Sequence, residues 1–367
     1  MLELDKVTKD FSTGAFGSDV FPAVRRVSFE ILAGQVTALI GESGSGKTTL
    51  GKMILRLESI SSGSIVFDGR DISLLKGRKE LIEYYRYVQG VFQDPFSSYN
   101  PIFRADRVFQ MVKETYFPDV RAAEWHKKVG DAVEAVGLNP ADVLNKFTHQ
   151  LSGGQLQRLL IARALLLDIK LLIADEIISM LDASTRIDVL NLLADLKSRG
   201  LGILFITHDL SLGNYISERA VILRRGIVLE MGATEKVFSN PQHPYTKMIL
   251  ASVPQLHHKW EPLTDLDVAN FAPAVSVQDG PLSPAVVEGE AEKRRAGSSL
   301  NPLAGRPGRR YVAASAGSLL QDVERRREKD LRRSEEVLPL VEVEEDHYAA
   351  VTEPVARSTH GALRDTT

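Results

Sequence analysis

The sequence predicts an α/β fold: a core with a parallel sheet, a helical subdomain inserted into that core, and a C-terminal extension. Short, predominantly apolar runs rich in β-forming residues alternate with helical stretches, and they lie at residues 36–40, 171–174 and 203–207. Strands that are buried on both faces of a parallel sheet have this pattern. Between Gln93 and Gln150 no such run occurs, whereas Val108–Thr115 and Trp125–Val136 show helical periodicity. That stretch indicates the helical insertion.

Composition excludes several classes of protein. The chain has 367 residues, a net charge of −3, 44% hydrophobic and 25% charged residues, and no cysteine. These values exclude wholesale disorder, collagen and a coiled-coil rod, and the near-neutral charge gives no reason to expect a nucleic-acid partner. Without cysteine there is no disulfide, thiolate metal site or cysteine nucleophile. We expect no secretory signal, and the apolar tracts are shorter than the ~20 residues of a spanning helix.

The chain divides into three predicted segments. Residues 1–255 form the folded α/β domain, with the helical subdomain at about 93–160. Residues 256–310 are rich in proline and are predicted to be a linker or weakly ordered. Residues 311–367 form a small extension of uncertain fold, with a helix near Ser318–Arg333 and a short strand at Leu338–Val343.

A phosphate-binding loop follows the first apolar run. Gly41–Thr48 reads GESGSGKT, which matches G-x-x-x-x-G-K-[ST] between a predicted strand and a predicted helix. Glycines let successive N–H groups point at phosphates, Lys47 supplies a positive charge, and Thr48 supplies a hydroxyl for Mg²⁺. A glycine turn without function is the alternative. The candidate nucleotide-binding residues are Gly41, Ser43, Gly44, Gly46, Lys47, Thr48 and Thr49. The fold class is therefore a core of the P-loop NTPase type.

Two carboxylates follow the apolar run at 171–174. Asp175 is the candidate ligand of Mg²⁺, and Glu176 is the candidate that orients or deprotonates an attacking water. Alone, an apolar run followed by Asp-Glu more often marks a strand that meets a turn. Together with a phosphate-binding loop, the pair predicts phosphoryl transfer to water.

The segment Leu151–Arg158 reads LSGGQLQR, and with it the sequence resembles the ATP-binding cassette (ABC) family. The resemblance implies that two chains sandwich ATP, and that this segment contacts the ATP held by the opposite subunit. An ordinary serine-capped helix is the alternative. The candidate residues are Ser152, Gly153, Gly154 and Gln155.

Further elements of the resemblance appear in order along the chain. It implies that Gln93 touches Mg²⁺ and water and relays to a membrane partner, and that His208 contacts the γ-phosphate. It also implies that Asp182 communicates across the dimer. Phe11 is the candidate that stacks on adenine, with Phe21 as a competing choice. Alone, Gln93 would be a surface turn and His208 a capping or surface group.

One departure from the family pattern stands beside the catalytic glutamate. The family usually has proline there, whereas this chain has Ile177-Ile178. Proline restricts the backbone, so the geometry of the loop that ends at Asp182 is in doubt while both carboxylates stay in place.

The resemblance narrows to the ATPase subunits of oligopeptide and dipeptide importers, through Gln93–Pro101 and Asn240–Lys247. It implies an ATPase that binds ATP and Mg²⁺ and energises peptide uptake through separate permease subunits. The chain would work at the cytoplasmic face of the cell membrane as a homodimer or a heterodimer, with an extracytoplasmic binding protein as an indirect partner. The alternatives are an importer of oligosaccharides or nickel, and a soluble non-transport ABC ATPase. The missing cysteines exclude a cysteine-ligated iron–sulfur site.

Overall fold

The structure, a computed structural model, describes residues 1–13, 19–252 and 337–350. The expected linker at 256–310 and the expected helix near Ser318–Arg333 lie outside these residues.

The described strands form two sheets. The antiparallel sheet has the order β2-β1-β4-β5 and comprises β1 (Leu2–Thr13), β2 (Asp19–Ile31), β4 (Ser62–Phe67) and β5 (Arg70–Asp71). The larger sheet comprises β3 (Val36–Ile40), β6 (Val88–Val91), β7 (Leu171–Asp175), β8 (Gly202–Thr207), β9 (Arg219–Arg224), β10 (Ile227–Ala233), β11 (Leu340–Glu344) and β12 (His347–Ala350). Its order is β11-β12-β10-β9-β3-β8-β7-β6.

The helices follow the strands closely in sequence. They are α1 (Lys47–Ile54), α2 (Arg78–Tyr87), α3 (Arg107–Tyr116), α4 (Ala122–Ala135), α5 (Pro140–Val143), α6 (Gly153–Leu165), α7 (Ala183–Ser198), α8 (Leu210–Ile216), α9 (Thr234–Ser239) and α10 (Pro244–Ala251). Three short 3₁₀ turns in the described part of the chain lie at Ile72–Leu74, Phe96–Ser98 and Thr148–Gln150.

The central strands confirm the predicted parallel α/β core. From β6 to β9 every neighbouring pair of strands is parallel, in the order β6-β7-β8-β3-β9. All residues of β3, β7 and β8 are buried, because α1 covers one face of the sheet while α6, α7 and α8 cover the other. An apolar run without alternation is what two covered faces require.

The predicted helical insertion lies between the neighbouring strands β6 and β7. Helices α3 to α6 fill this interval, and their apolar faces pack together around Phe109, Trp125, Val133 and Leu159. The insertion shares this core with strands β3, β7 and β8 rather than forming a separate one. Helix α6 packs against strand β6, and α3 and α4 pack against α6.

A C-terminal hairpin, β11 and β12, extends the main sheet. Strand β12 pairs antiparallel with β10, so residues 340–350 belong to the same compact unit as residues 1–252. The sequence predicted a strand at Leu338–Val343 within a small extension of uncertain fold. Gly232 permits the close approach of the hairpin, because a Cβ at this position would stand 2.3 Å from the Asp346 carbonyl oxygen.

A buried carboxylate fastens this hairpin to the sheet. Glu230 on β10 is fully buried and accepts hydrogen bonds from the backbone N–H groups of Gln242 and His243, at 2.8 and 3.0 Å. The Nε2 atom of fully buried His347 lies 2.6 Å from the same carboxylate, and its Nδ1 lies 3.0 Å from Glu344. Burial lowers the pKa of His347, but the hydrogen bonds to Glu230 and Glu344 outweigh it and raise that pKa above 6.5. An imidazolium that donates from both nitrogens fits this arrangement.

The His347→Gln variant tests this contact, because it removes the titrating ring and keeps an amide donor. Since the folded-state pKa of His347 is raised, its contribution to stability is full below pH ~6.5 and is lost as the pH rises through the folded-state pKa. We expect the Tm advantage of the wild type over H347Q to be largest below about pH 6.5 and to shrink as the pH rises above that value.

His126 offers a control, because it is an exposed histidine on α4. The H126Q variant should track the wild type at every pH in the same thermal melts. A difference between wild type and H347Q that stays constant with pH would contradict the charged pair.

Candidate active site

The register of the parallel strands brings the predicted chemical groups to one edge of the sheet. Residues Ala38, Phe205, Ala174 and Val91 stand side by side across β3, β8, β7 and β6. Strand β6 ends at Val91 itself, and the other three strands end one or two residues beyond this level. The strand ends are followed, in turn, by the phosphate-binding loop, His208, the Asp175–Glu176 pair and Gln93. In parallel α/β sheets this carboxyl edge is where ligands bind.

The phosphate-binding loop depends on glycine at positions where the backbone passes close to its neighbours. Gly46 has a φ of +106°, and a Cβ there would stand 2.5 Å from the carbonyl oxygen of Ala23. A Cβ at Gly41 would stand 2.0 Å from the carbonyl oxygen of Leu223. Gly226 donates its N–H to the Ser45 carbonyl oxygen at 2.8 Å and so clamps the loop from the β9–β10 turn.

Lys47 is buried inside the loop that precedes it. Its Nζ donates to the carbonyl oxygens of Gly41 at 2.7 Å and Glu42 at 2.8 Å, and lies 3.5 Å from the Ser45 hydroxyl. Burial lowers the pKa of Lys47, while the charges of Glu176, Asp175 and Glu42 oppose that change. The carbonyl groups of Gly41 and Glu42 thus hold the Lys47 ammonium group at the N-terminus of α1.

Asp175 has the features of a magnesium ligand. It ends β7 and is buried, and burial raises its pKa while a hydrogen bond from the Thr48 hydroxyl and the charge of Lys47 act in the opposite direction. Within the described residues its Oδ1 is buried and has no hydrogen-bond partner. No group of three or more His, Asp or Glu side chains in the described ranges could cage a metal. One carboxylate and one hydroxyl suit Mg²⁺, which takes its other ligands from water and phosphate oxygens.

Glu176 and His208 face each other beside this pair. The Glu176 Oε1 atom lies 3.1 Å from the Nδ1 of His208, and the glutamate side chain is 18% exposed whereas the histidine is 57% exposed. Glu176 has a φ of +51°, in the left-handed region, which costs a non-glycine residue on the order of 1–3 kcal/mol. A conformation of this kind persists only where the surrounding contacts impose it.

The Gln93 segment is attached to helix α6. Gln93 is exposed and stands two residues after β6. The Gln157 side chain donates to the Phe92 carbonyl oxygen at 3.3 Å, and the buried Tyr99 hydroxyl donates to the Leu156 carbonyl oxygen at 3.0 Å. Two hydrogen bonds therefore attach the segment that carries Gln93 to the helix that begins at Gly153.

Ser152 caps that helix. Its hydroxyl accepts from the Gln155 N–H at 3.2 Å, and the Gln155 side chain accepts from the Ser152 N–H at 2.9 Å, which forms a capping box. Gly154 packs against Thr185 of α7, where a Cβ would approach to 2.9 Å. Ser152 is exposed, and in the described chain no hydrogen bond links it to the phosphate-binding loop.

Asp182 caps helix α7. Its carboxylate accepts from the Thr185 N–H, the Thr185 hydroxyl and the Ser184 hydroxyl at 2.6–3.0 Å, and these bonds lower its pKa strongly. Ile177 and Ile178 are buried in the core of the insertion and sheet. Their side chains anchor the loop between Glu176 and Asp182 without a proline.

Phe11 and Phe21 are direct cross-strand partners in β1 and β2. Both are half-buried, and the Lys9 ammonium lies 4.7 Å from the centre of the Phe11 ring. Directly opposite residues of an antiparallel pair share one face of the sheet. The two candidates for an adenine-stacking ring therefore belong to one surface, and the choice between them stays a prediction.

Sequence reasoning missed two groups of residues. Glu230 and His347 are joined only by the fold, although a glutamate inside the apolar strand Ile227–Ala233 was a visible signal. Arg186 contacts the loop after Glu176, and no sequence pattern indicated it.

Among the described residues, none of the helices has the length and hydropathy needed to cross a bilayer.

Two family models match the chain. The ABC transporter model matches residues 24–179, and the model described as the oligopeptide/dipeptide transporter C-terminal region matches residues 229–273. The first match spans the phosphate-binding loop, the capped helix α6 and the Asp175–Glu176 pair. The second begins in β10, contains Glu230 and includes α10.

Individual relatives agree with these models. The oligopeptide transport ATP-binding protein OppF of Streptococcus mutans is 39% identical over 277 residues, which cover 73% of this chain and 89% of the relative. AmiF of Streptococcus pneumoniae, which is also described as an oligopeptide transport ATP-binding protein, is 43% identical over 241 residues. These residues cover 65% of this chain and 77% of the relative. The ATP-binding cassette MJ0796, solved as a dimer in a post-hydrolysis state bound to ADP and Pi, is 27% identical with a TM-score of 0.58, covering 64% of this chain and 99% of that one.

Lys47→Ala removes the charge that the loop buries. We expect the affinity for a fluorescent ATP analogue to fall by at least about tenfold, because the phosphates lose the buried cation at the start of α1. Equilibrium titration measures the change.

Lys79→Ala is the control, because Lys79 is an exposed lysine on α2. It should bind the analogue like the wild type. An unchanged affinity in K47A would show that phosphates bind elsewhere.

Proposed function

Because the chain belongs to the ABC transporter ATP-binding family, we propose that it hydrolyses ATP to drive peptide import through separate permease subunits. One observation carries the proposal: a buried lysine, a buried aspartate and a glutamate–histidine pair meet at the carboxyl edge of the sheet. The peptide assignment is supported by the C-terminal region model and by relatives described as oligopeptide transport proteins. These favour peptides over oligosaccharides and nickel.

The proposed chemistry is phosphoryl transfer to water. Backbone N–H groups of the loop and the N-terminus of α1 hold the phosphates, and Lys47 neutralises their charge. Glu176 orients the attacking water and accepts its proton, while His208 contacts the terminal phosphate from beside Glu176. Asp175 and Thr48 are the residues that would hold Mg²⁺, with Gln93 nearby; the ion supplies charge neutralisation to the phosphates.

The proposed active unit is a dimer. Ser152, with the helix start at Gly153, offers N–H groups and a hydroxyl at an exposed surface, and helix N-termini favour anions. We assign this surface to the ATP held by the opposite subunit, which is a second copy or a homologous chain. Solved relatives in dimeric form support the arrangement.

An exposed apolar surface beside Gln93 is proposed to meet the permease. Phe96 is 51% exposed, Ile102 78% and Phe103 50%, and all three follow Gln93 within ten residues. Clustered exposed apolar side chains mark interaction sites. The permease would supply the spanning helices, so we place the chain at the cytoplasmic face of the membrane as a peripheral subunit.

Glu176→Gln separates binding from hydrolysis. The amide keeps the shape of the side chain but accepts no proton from water. We expect turnover to fall by at least about a hundredfold while ATP binding persists, so that ATP and Mg²⁺ produce a dimer on size-exclusion chromatography. Uptake of a labelled oligopeptide by cells that carry only this variant should stop.

Uptake of a labelled oligosaccharide and of nickel by the same cells is the comparison. Loss of either one with normal peptide uptake would contradict the peptide assignment. Wild-type turnover in E176Q would assign the proton acceptor to another group.

A further inference from the structure

The loop between Glu176 and Asp182 connects two groups of the proposed reaction. Its sequence, EIISMLD, contains neither proline nor glycine, so its shape has to come from contacts. At one end β7 delivers Glu176, and at the other Asp182 caps α7. Between them Ile177 and Ile178 are buried, whereas Met180 is 61% exposed.

Hydrogen bonds to both the N–H and the carbonyl group of Glu176 hold this residue in its left-handed conformation. Its N–H donates to the Ile206 carbonyl oxygen at 2.9 Å. Its carbonyl oxygen accepts from both the N–H and the hydroxyl of Ser179, at 3.1 and 2.8 Å. A non-glycine residue keeps such a conformation only where its surroundings impose it. Ser179 is therefore the contact that fixes the exit of the chain from Glu176.

A single arginine side chain fixes Ser179 in turn. From the first turn of α7, Arg186 donates through Nε to the Leu181 carbonyl oxygen at 2.8 Å and through Nη2 to the Ser179 carbonyl oxygen at 3.4 Å. The guanidinium is half-buried, and its planar fork can serve two carbonyl groups at once. Helix α7 itself is anchored by its Asp182 cap and by buried Val189 and Leu190.

We propose that Arg186 is a positioning residue for Glu176, acting through the Ser179 and Leu181 carbonyl groups; the inference rests on the proposed ATP hydrolysis. Arg186 itself contacts neither Glu176 nor the phosphate-binding loop through any hydrogen bond of the described residues. Its contribution is to hold the loop so that the Glu176 carboxylate stays beside His208. It also fixes the direction in which Asp182 leaves the loop.

The position of this contact predicts a particular kinetic effect. The phosphate-binding loop is held through the hydrogen bond from Gly226 to Ser45 and through the close approach of Gly46 to Ala23. The Arg186 side chain donates to carbonyl groups of the loop after Glu176 instead. Loss of Arg186 should therefore leave ATP binding intact and slow the hydrolytic step. A displacement of about 1 Å at a catalytic group is enough to reduce a rate by up to a hundredfold.

The test uses the full-length chain and the variants R186M and R186K. Methionine keeps much of the side-chain length and removes all donors, whereas lysine keeps the charge and offers a point donor in place of a fork. We expect kcat to fall at least about tenfold in R186M and less in R186K. KM for ATP and the affinity for a fluorescent ATP analogue should stay within about twofold of the wild type.

Arg199→Met is the matched control, because Arg199 is an exposed arginine just after the end of the same helix. It should keep wild-type kcat and KM. Ser179→Ala removes the hydroxyl bond to Glu176 and should lower kcat in the same way. Because Ser179 and Arg186 act in one chain of contacts, the double variant should lose less than the product of the two single effects.

Wild-type kcat in R186M would overturn the proposal, as would an equal loss of ATP affinity and kcat. Independent, multiplicative effects of S179A and R186M would overturn it too. If R186M fails to fold by circular dichroism, R186K and S179A decide the question with the same measurements. An inactive wild-type chain would instead refute the proposed hydrolysis, so the two failures are distinguishable.

Discussion

The hydrogen-bond ladders between β6, β7, β8 and β3 fix the level at which each strand ends, and the whole site depends on that level. A parallel ladder lets residues many positions apart in sequence end side by side. A slip of one residue in β7 would turn Asp175 to the other face of the sheet and remove Glu176 from His208. Complete burial of β3, β7 and β8 on both faces makes such a slip costly, because every side chain there fills a packed space.

Two buried carboxylates of this fold differ in their hydrogen bonding. Glu230 is fully satisfied, with two backbone donors and His347, and it joins β10, the segment before α10 and the C-terminal hairpin. Asp175 is also buried but keeps one oxygen without a partner among the described residues. A satisfied buried carboxylate stabilises structure, whereas an unsatisfied one at the carboxyl edge of a sheet indicates a ligand. This contrast supports the proposed role of Asp175 as a ligand residue without reference to sequence motifs.

The sequence predicted what is encoded locally and missed what depends on long-range pairing. Apolar runs indicate buried strands, and they predicted the parallel core. The glycines around Lys47 indicate an unusual backbone conformation, and they predicted the phosphate-binding loop. The hairpin at 340–350 pairs with β10 across more than a hundred residues, and a strand pattern carries no information about its partner. Likewise, the choice between Phe11 and Phe21 could not be made from spacing, because the two residues are paired on one face.

The carbonyl groups around Lys47 explain how a buried ammonium group can serve as a phosphate ligand. In this structure the Gly41 and Glu42 carbonyl oxygens accept its hydrogen bonds, so the cost of its burial is already met by the fold. A phosphate oxygen that approaches Lys47 exchanges a carbonyl dipole for a full negative charge at a site that is already dry and oriented. Such a gain is largest where least rearrangement is needed, so the proposed affinity for phosphate depends on the glycines that shape the loop. Main-chain carbonyl groups therefore preorganise both parts of the site. The Gly41 and Glu42 carbonyl oxygens hold the Lys47 ammonium group, and the Glu176 carbonyl oxygen is held by Ser179, which keeps Glu176 in its left-handed conformation.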